Sequence, residues 1–186
     1  PRVLDWKIGD LSFHWIDDHG SDEGYTVGEA SVSGEVRELD VSWLSGSVTV
    51  ELTDGDAVTL REEPQPESSD ARMRWKLQDG KLTVYSQKSG LTIPTRAKQL
   101  TIGIPAGRAG KLQKLSLDLS AASASLPALT LRELELDSVS GSVTLTGGSY
   151  ENLDFDSTSG DLTLTSAAVG ELSADTTSGS LTLDGA

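Results

Sequence analysis

The chain has 186 residues, 36% of them hydrophobic and 24% charged, with a formal net charge of −14 and no cysteine. That length fits one domain or at most two small ones, and the apolar content is ordinary for a folded globular chain rather than a disordered one. No run of about 18 apolar residues reads as a membrane-spanning helix; the lack of cysteine excludes disulfides, thiolate metal sites and cysteine nucleophiles; the acidity argues against nucleic acid or anionic lipid as a partner.

In chain order, residues 1–30 hold no element that can be placed. They contain the one cluster with metal-ligand residue types, His14, Asp17, Asp18 and His19. Two imidazoles and two carboxylates can bind a divalent transition metal. However, this histidine spacing does not set two rings on one helical face with a general base between them. The run Asp17–Gly24 reads more simply as a solvated turn, so no metal ligand is assigned.

Residues 31–105 read as irregular strands. Leu39-Asp-Val41-Ser-Trp43-Leu-Ser-Gly46-Ser-Val48-Thr-Val50 alternates apolar and polar residues around a Ser-Gly pair. Asp54-Gly55-Asp56 is a turn and Val58–Arg61 a strand. Glu62–Asp70, with two prolines, is a polar loop. Met73–Leu77 and Leu82–Tyr85 are strands joined by a turn at Asp79-Gly80, and Leu100–Ile104 is a strand closed by Pro105. Trp43 and Trp75 sit in alternating strands and are expected in the core, which leaves a sugar-stacking platform built with Trp6 and Trp15 as the weaker reading. The best helical candidate, Arg108–Gln113, is short.

Residues 106–186 carry an internal repeat. Leu134-Glu-Leu136-Asp-Ser-Val-Ser-Gly141-Ser-Val143-Thr-Leu145 returns 19 residues later around Gly160 and again around Gly179, and a degenerate copy runs from Leu115 to Leu126 with Ala122 in place of the glycine. The alignment makes columns: Leu115, Leu134, Leu153, Leu172; Leu117, Leu136, Phe155, Ala174; Ala124, Val143, Leu162, Leu181; Leu126, Leu145, Leu164, Leu183; and Leu112, Leu131, Tyr150, Val169. Either stacked coils or successive hairpins turning at Ser-Gly would produce them. The undrifting period, the fifth column and the weakness of Ser-Gly as a hairpin turn favour coils. Leu145 and Leu164 should then be buried and stacked. The repeated glycine is expected to serve a corner with positive φ, which the coil holding Ala122 turns differently. Asp118, Asp137, Asp156 and Asp175 should stack on the outer face, beside Glu135 and Asp154. No lysine or arginine within 133–186 relieves them, although screening by salt accounts for the ladder more readily than a bridging cation does.

Charge is segregated along the chain: residues 1–70 carry net −13, residues 71–114 net +9, and residues 115–186 net −10. The basic side chains of the middle block alternate with apolar residues, and are expected to face acidic neighbouring strands rather than nucleic acid.

The order of Val41-Ser-Trp43-Leu-Ser-Gly46-Ser-Val48-Thr-Val50, Asp79-Gly80-Lys-Leu82-Thr-Val84, Leu100-Thr-Ile102-Gly-Ile104-Pro105 and the Ser-Gly-x-apolar-Thr-apolar units resembles the bacterial DUF4097 adhesin-like family, similar to auto-transporter adhesin heads. The resemblance covers about residues 31–186 and leaves the first 30 unmatched. It implies a right-handed single-stranded β-helix-like fold and export behind an upstream membrane anchor. It brings no enzymatic activity and no catalytic motif.

The expectation is one all-β domain over residues 1–186: a single-stranded β-helix or β-solenoid with 19-residue coils in the C-terminal half (106–186) and irregular β-strands in the N-terminal half (31–105). No catalytic, cofactor-binding or metal residue is assigned; no phosphate loop or Gly-x-Ser-x-Gly elbow is present. The function expected is a non-catalytic, extracytoplasmic structural or adhesion-type module at the bacterial cell surface. The alternative is a carbohydrate-binding or polysaccharide-active β-helix protein. No cofactor, nucleic acid or membrane contact is expected of this segment. Leu181-Thr-Leu183 completes the last unit with no polar cap, so that edge is expected to self-associate or to be covered by further chain.

Overall fold

The computed structural model describes residues 22–90 and 96–185, together with the backbone of two short antiparallel strands, β1 (Trp6–Ile8) and β2 (Leu11–Phe13). The remaining strands are β3 (Thr26–Val27), β4 (Ala30–Val32), β5 (Glu38–Thr53), β6 (Val58–Glu63), β7 (Arg74–Gln78), β8 (Lys81–Tyr85), β9 (Lys98–Pro105), β10 (Lys114–Leu126), β11 (Thr130–Ser140), β12 (Val143–Thr146), β13 (Ser149–Ser157), β14 (Leu162–Thr165), β15 (Ala168–Thr176) and β16 (Leu181–Asp184). The described residues contain no α-helix. The helical candidate near Arg108 is a single 3₁₀ turn, Ala109–Lys111.

The repeat units pair in parallel. Leu115 lies opposite Leu134, Leu134 opposite Leu153, and Leu153 opposite Leu172, each partner 19 residues further on. Hairpins would pair antiparallel, so the strict period reports stacking of whole units. Two stacks result. The first runs β8, the first half of β5, the first half of β10, β11, β13, β15. The second runs β9, the second half of β5, the second half of β10, β12, β14, β16.

The irregular N-terminal strands join the same stacks. Leu39, Val41, Gly46 and Val48 lie opposite Leu115, Leu117, Ala122 and Ala124, so the Ser-Gly motif at Gly46 is a full member of the repeat. Chain order and space order differ here. β5 is flanked by β8 and β9 on one side and by β10 on the other, and residues 106–113 carry the chain past it. Antiparallel strands close the outer side: β7 on β8, β6 on β9, β4 on β6 and β3 on β7. The β7–β8 hairpin turns through Asp79 (φ 54°) and Gly80 (φ 80°), the two positive φ values that a tight two-residue turn requires.

In β5, β6 and β8 to β14 the inward residues, mostly every second one, enter one continuous core. Leu39, Leu115, Leu134 and Leu153 are buried, as are Leu126, Leu145 and Leu164 and the aromatic pair Tyr150 and Phe155. Trp43 is fully buried and Trp75 packs half-buried against the same core, as their alternation predicts. In the last unit Leu181 and Leu183 are 40% and 53% exposed, because β16 has β14 on one side and no described strand on the other.

The repeated glycine has a different cause from the one expected. Gly46 and Gly141 do have positive φ, 110° and 126°, but Gly160 and Gly179 do not. All four share close approach: a Cβ would run into Lys98 backbone at Gly46, into the Ala122 carbonyl at Gly141, into the Gly141 carbonyl at Gly160, and into the Gly160 carbonyl at Gly179. The side chain is excluded by the neighbouring unit's backbone more than by torsion. The unit with Ala122 sits in β10, which runs unbroken through that position as β5 does through Gly46, whereas later units break between β11 and β12, β13 and β14, and β15 and β16.

Candidate functional site

The register that buries the leucines turns the intervening residues outward. On the first stack it sets Asp118, Asp137, Asp156 and Asp175 opposite one another in a row, with Ser42 next in line on β5. A second row two residues earlier holds Asp40, Ser116, Glu135, Asp154 and Ser173, and a third holds Lys81, Glu38, Lys114, Glu133, Asn152 and Glu171. The stacked carboxylates read from the repeat are therefore brought together as expected.

Among the described residues, the ion pairs on these rows lie at one end of this face and their cations come from outside residues 133–186. Lys114 Nζ lies 3.1 Å from Glu133 and 2.8 Å from Glu135, and Lys81 Nζ lies 3.0 Å from Asp40. Lys81 and Lys114 of the basic middle block thus pair with carboxylates of the neighbouring strands β5 and β11. At Lys114 the two glutamate hydrogen bonds outweigh desolvation, so its pKa rises; at Glu135 desolvation is outweighed by Lys114, Glu133 and Ser116, so its pKa falls. Further along no cation intervenes. Burial, then Asp137 and Asp40, push Asp118 up to about 7, and burial with Asp154 and Asp175 raises Asp156. The far side of the same face is aromatic: Tyr25 stacks on Tyr85 at 5.2 Å and donates a 3.2 Å hydrogen bond to its hydroxyl, with Lys76 over the Tyr25 ring. Burial is the main cause that pushes the Tyr85 pKa up.

The second stack shows a neutral face. Thr101, Thr49, Ser125, Thr144, Thr163 and Thr182 lie opposite one another in one outward row. Asp161 interrupts the neighbouring row, and its carboxylate accepts hydrogen bonds from the Ser180 amide and hydroxyl at 2.8 and 2.7 Å.

Among the described residues no group of three or more His, Cys, Asp and Glu is arranged to hold a metal ion. The His14, Asp17, Asp18 and His19 cluster lies outside the described residues, as do the side chains of Trp6 and Trp15.

One charged cluster escaped the sequence reading. Lys98 Nζ lies 2.9 Å from Glu62 Oε2 with both side chains buried, donates to the carbonyls of Ala71 (2.7 Å) and Ser86, and sits 5.1 Å above the Trp43 ring. The Trp43 indole N–H donates to the Lys98 carbonyl at 2.9 Å, and both Glu62 oxygens accept from the Met73 amide at 3.1 Å. The signal was in the alternation: Glu62 is in phase with Val58 and Leu60, and Lys98 with Leu100, Ile102 and Ile104. Every polar atom is satisfied, so the cluster pins the antiparallel strands to the parallel stack rather than awaiting a ligand.

The family described as Toastrack DUF4097 matches residues 36–186. The chain belongs to that family. No curated protein matches it. Among solved structures, this Toastrack chain is similar to a "putative cell adhesion protein" from Clostridium sporogenes, with 9% identity and a TM-score of 0.54, covering 86% of this chain and 99% of that one. A "putative adhesin" from Parabacteroides distasonis is more remote: 12% identity and a TM-score of 0.34, covering 89% of this chain and 81% of that one. At such identities the first likeness shows a shared fold, and the second carries no further weight. No helix among the described residues is long and apolar enough to cross a membrane.

Proposed function

We propose that this chain is a non-catalytic β-solenoid module, each 19-residue unit forming one turn, that works outside the cytoplasm as a structural or adhesion-type scaffold. The observation that carries the reading is the unbroken parallel register from β5 through β15, which presents rows of like outward side chains. Such a surface offers repetition rather than a catalytic cleft, and suits multivalent contact with a repetitive partner. Membership of the family and the adhesion-type name of the C. sporogenes structure support the adhesion reading and a cell-surface location.

Two measurements test it. Protease accessibility on intact cells should cleave the module, and protection until lysis would reject the extracytoplasmic part. Incubation with polyuronates and neutral polysaccharides should release no product; turnover lost on neutralising Asp137 and Asp156 would reject the non-catalytic part.

A further inference from the structure

A cavity of about 160 Å³ opens beside the crossover of residues 106–113, walled by Val36, Leu39, Val58, Ile104 and Leu112. Leu39, Val58, Ile104 and Leu112 are members of the buried core, so this is a mouth into the protein interior rather than a surface dimple. The topology explains its place. On the third side of the stack, backbone hydrogen bonds run from Arg132 to Gln113 and from Gln113 to Arg37. Beyond Arg37 the chain belongs to the turn at Gly80 and to the crossover, and no strand among the described residues completes that wall.

The mouth is cationic in a chain of net charge −14. Arg108 and Lys111 both line it and both are exposed. The Arg108 guanidinium donates a 2.8 Å hydrogen bond to the Ser33 carbonyl, which straps the crossover to the 33–36 loop and fixes the cation at the rim. Neither residue forms an ion pair among the described residues. The third charged lining residue, Glu35, lies 3.8 Å from Arg37. An apolar cavity with a small number of placed polar groups at its opening is the usual form of a small-molecule site.

We infer that this cavity binds a medium-chain aliphatic carboxylate, with the tail among Val36, Leu39, Val58, Ile104 and Leu112 and the carboxylate at Arg108 and Lys111. The apolar walls select a hydrocarbon tail, and the two cations select an anionic head. One ordered water needs only about 10–15 Å³ of such space, so a cavity of about 160 Å³ has room for a short chain of atoms. The site is distinct from the acidic strand face and independent of the reading given for it.

The test is a titration of methyl-labelled protein with octanoate, octanol and octylamine, each kept monomeric, followed by NMR. Octanoate should shift the methyls of Val36, Leu39, Val58, Ile104 and Leu112 saturably while those of Leu145 and Leu164 stay still. Octylamine should bind at least about tenfold more weakly. The double variant Arg108→Glu, Lys111→Glu changes only exposed side chains. It should weaken octanoate about tenfold or more, leave octanol unaffected and improve octylamine. Absence of saturable shifts, shifts spread over the whole core, equal affinity for the amine, or octanoate binding unchanged in the double variant would overturn the inference.

Discussion

The ammonium of Lys98 lies 2.9 Å from the carboxylate of Glu62, and the two side chains are 4% and 0% exposed. They come from β9 and β6, which pair antiparallel where the lid of the molecule meets the parallel stack. Two charges removed from water are tolerated because each is fully hydrogen-bonded: three acceptors surround the Lys98 ammonium, and Glu62 receives the Met73 amide as well.

Breaking that pair from one side should be costly. Lys98→Met or Glu62→Gln is expected to lower stability by about 3–5 kcal/mol, because each leaves the other charge buried without its partner. The double replacement Lys98→Met, Glu62→Leu should recover much of the loss. Urea denaturation of the three variants measures both effects; equal losses in the singles and the double would mean that the pair is not coupled.

Leu145 and Leu164 are fully buried and lie opposite each other in adjacent units. Truncating either to alanine should cost about 2–5 kcal/mol. Leu183, in the same column but 53% exposed, should lose far less on the same change. A chemical-denaturation series along the column checks the gradient.

Asp118 gives the protein a pH dependence of stability with a definite sign. Its folded pKa is raised to about 7 from an ordinary 3.8, chiefly by burial. An acid that binds its proton more tightly when folded stabilises the fold fully below its unfolded pKa, and that contribution is lost as pH rises through the folded value. Asp118→Asn should therefore be more stable than the parent by about 1–3 kcal/mol near pH 8, and the advantage should vanish near pH 4. Melting curves at several pH values decide it; a constant difference at all of them would assign the effect to something other than ionisation.

The glycine ladder predicts an asymmetry between glycines. Gly160→Ala places a Cβ against the Gly141 carbonyl, whereas a Cβ at Gly107 meets nothing within 4 Å. The first should cost about 1–3 kcal/mol as overpacking and the second should be close to neutral. Thermal melting of the two variants side by side is sufficient.

The acidic rows should respond to ionic strength rather than to a particular cation. Sodium and calcium chlorides at matched ionic strength should raise the melting midpoint equally, since screening alone relieves neighbouring carboxylates. A calcium-specific rise abolished by Asp137→Asn, Asp156→Asn would replace that account with bound metal.

The repeat was legible because each unit writes the same constraints again. Four leucines in a column at Leu115, Leu134, Leu153 and Leu172 fix both the period and the inward phase, and the outward aspartates follow from that phase. The N-terminal half lacks such redundancy. Its motif at Gly46 was readable, but the antiparallel partners of β8 and β9 depend on pairings that no local pattern specifies. Glu62 was read as the start of a polar loop because a charge in the inward phase was weighed by its polarity and not by its position; β6 in fact extends through Glu63. The cavity at Val36 and Leu112 was invisible for a related reason. It arises where no described strand closes the wall, and that opening belongs to the path of the crossover rather than to any residue within it.

The position of β5 also bears on how the chain can be cut. β5 is hydrogen-bonded along one edge to β8 and β9 and along the other to β10, so it is the keystone between two parts, and its direct partners on both edges come from later sequence. During synthesis it waits with both edges bare until residues far downstream emerge, a long loop closure that short-range zipping of the last units does not face. Shortening from the C-terminal side removes repeat units one at a time and leaves that keystone seated. Excising residues 38–53 divides the molecule into a lid without a base and a base without a lid.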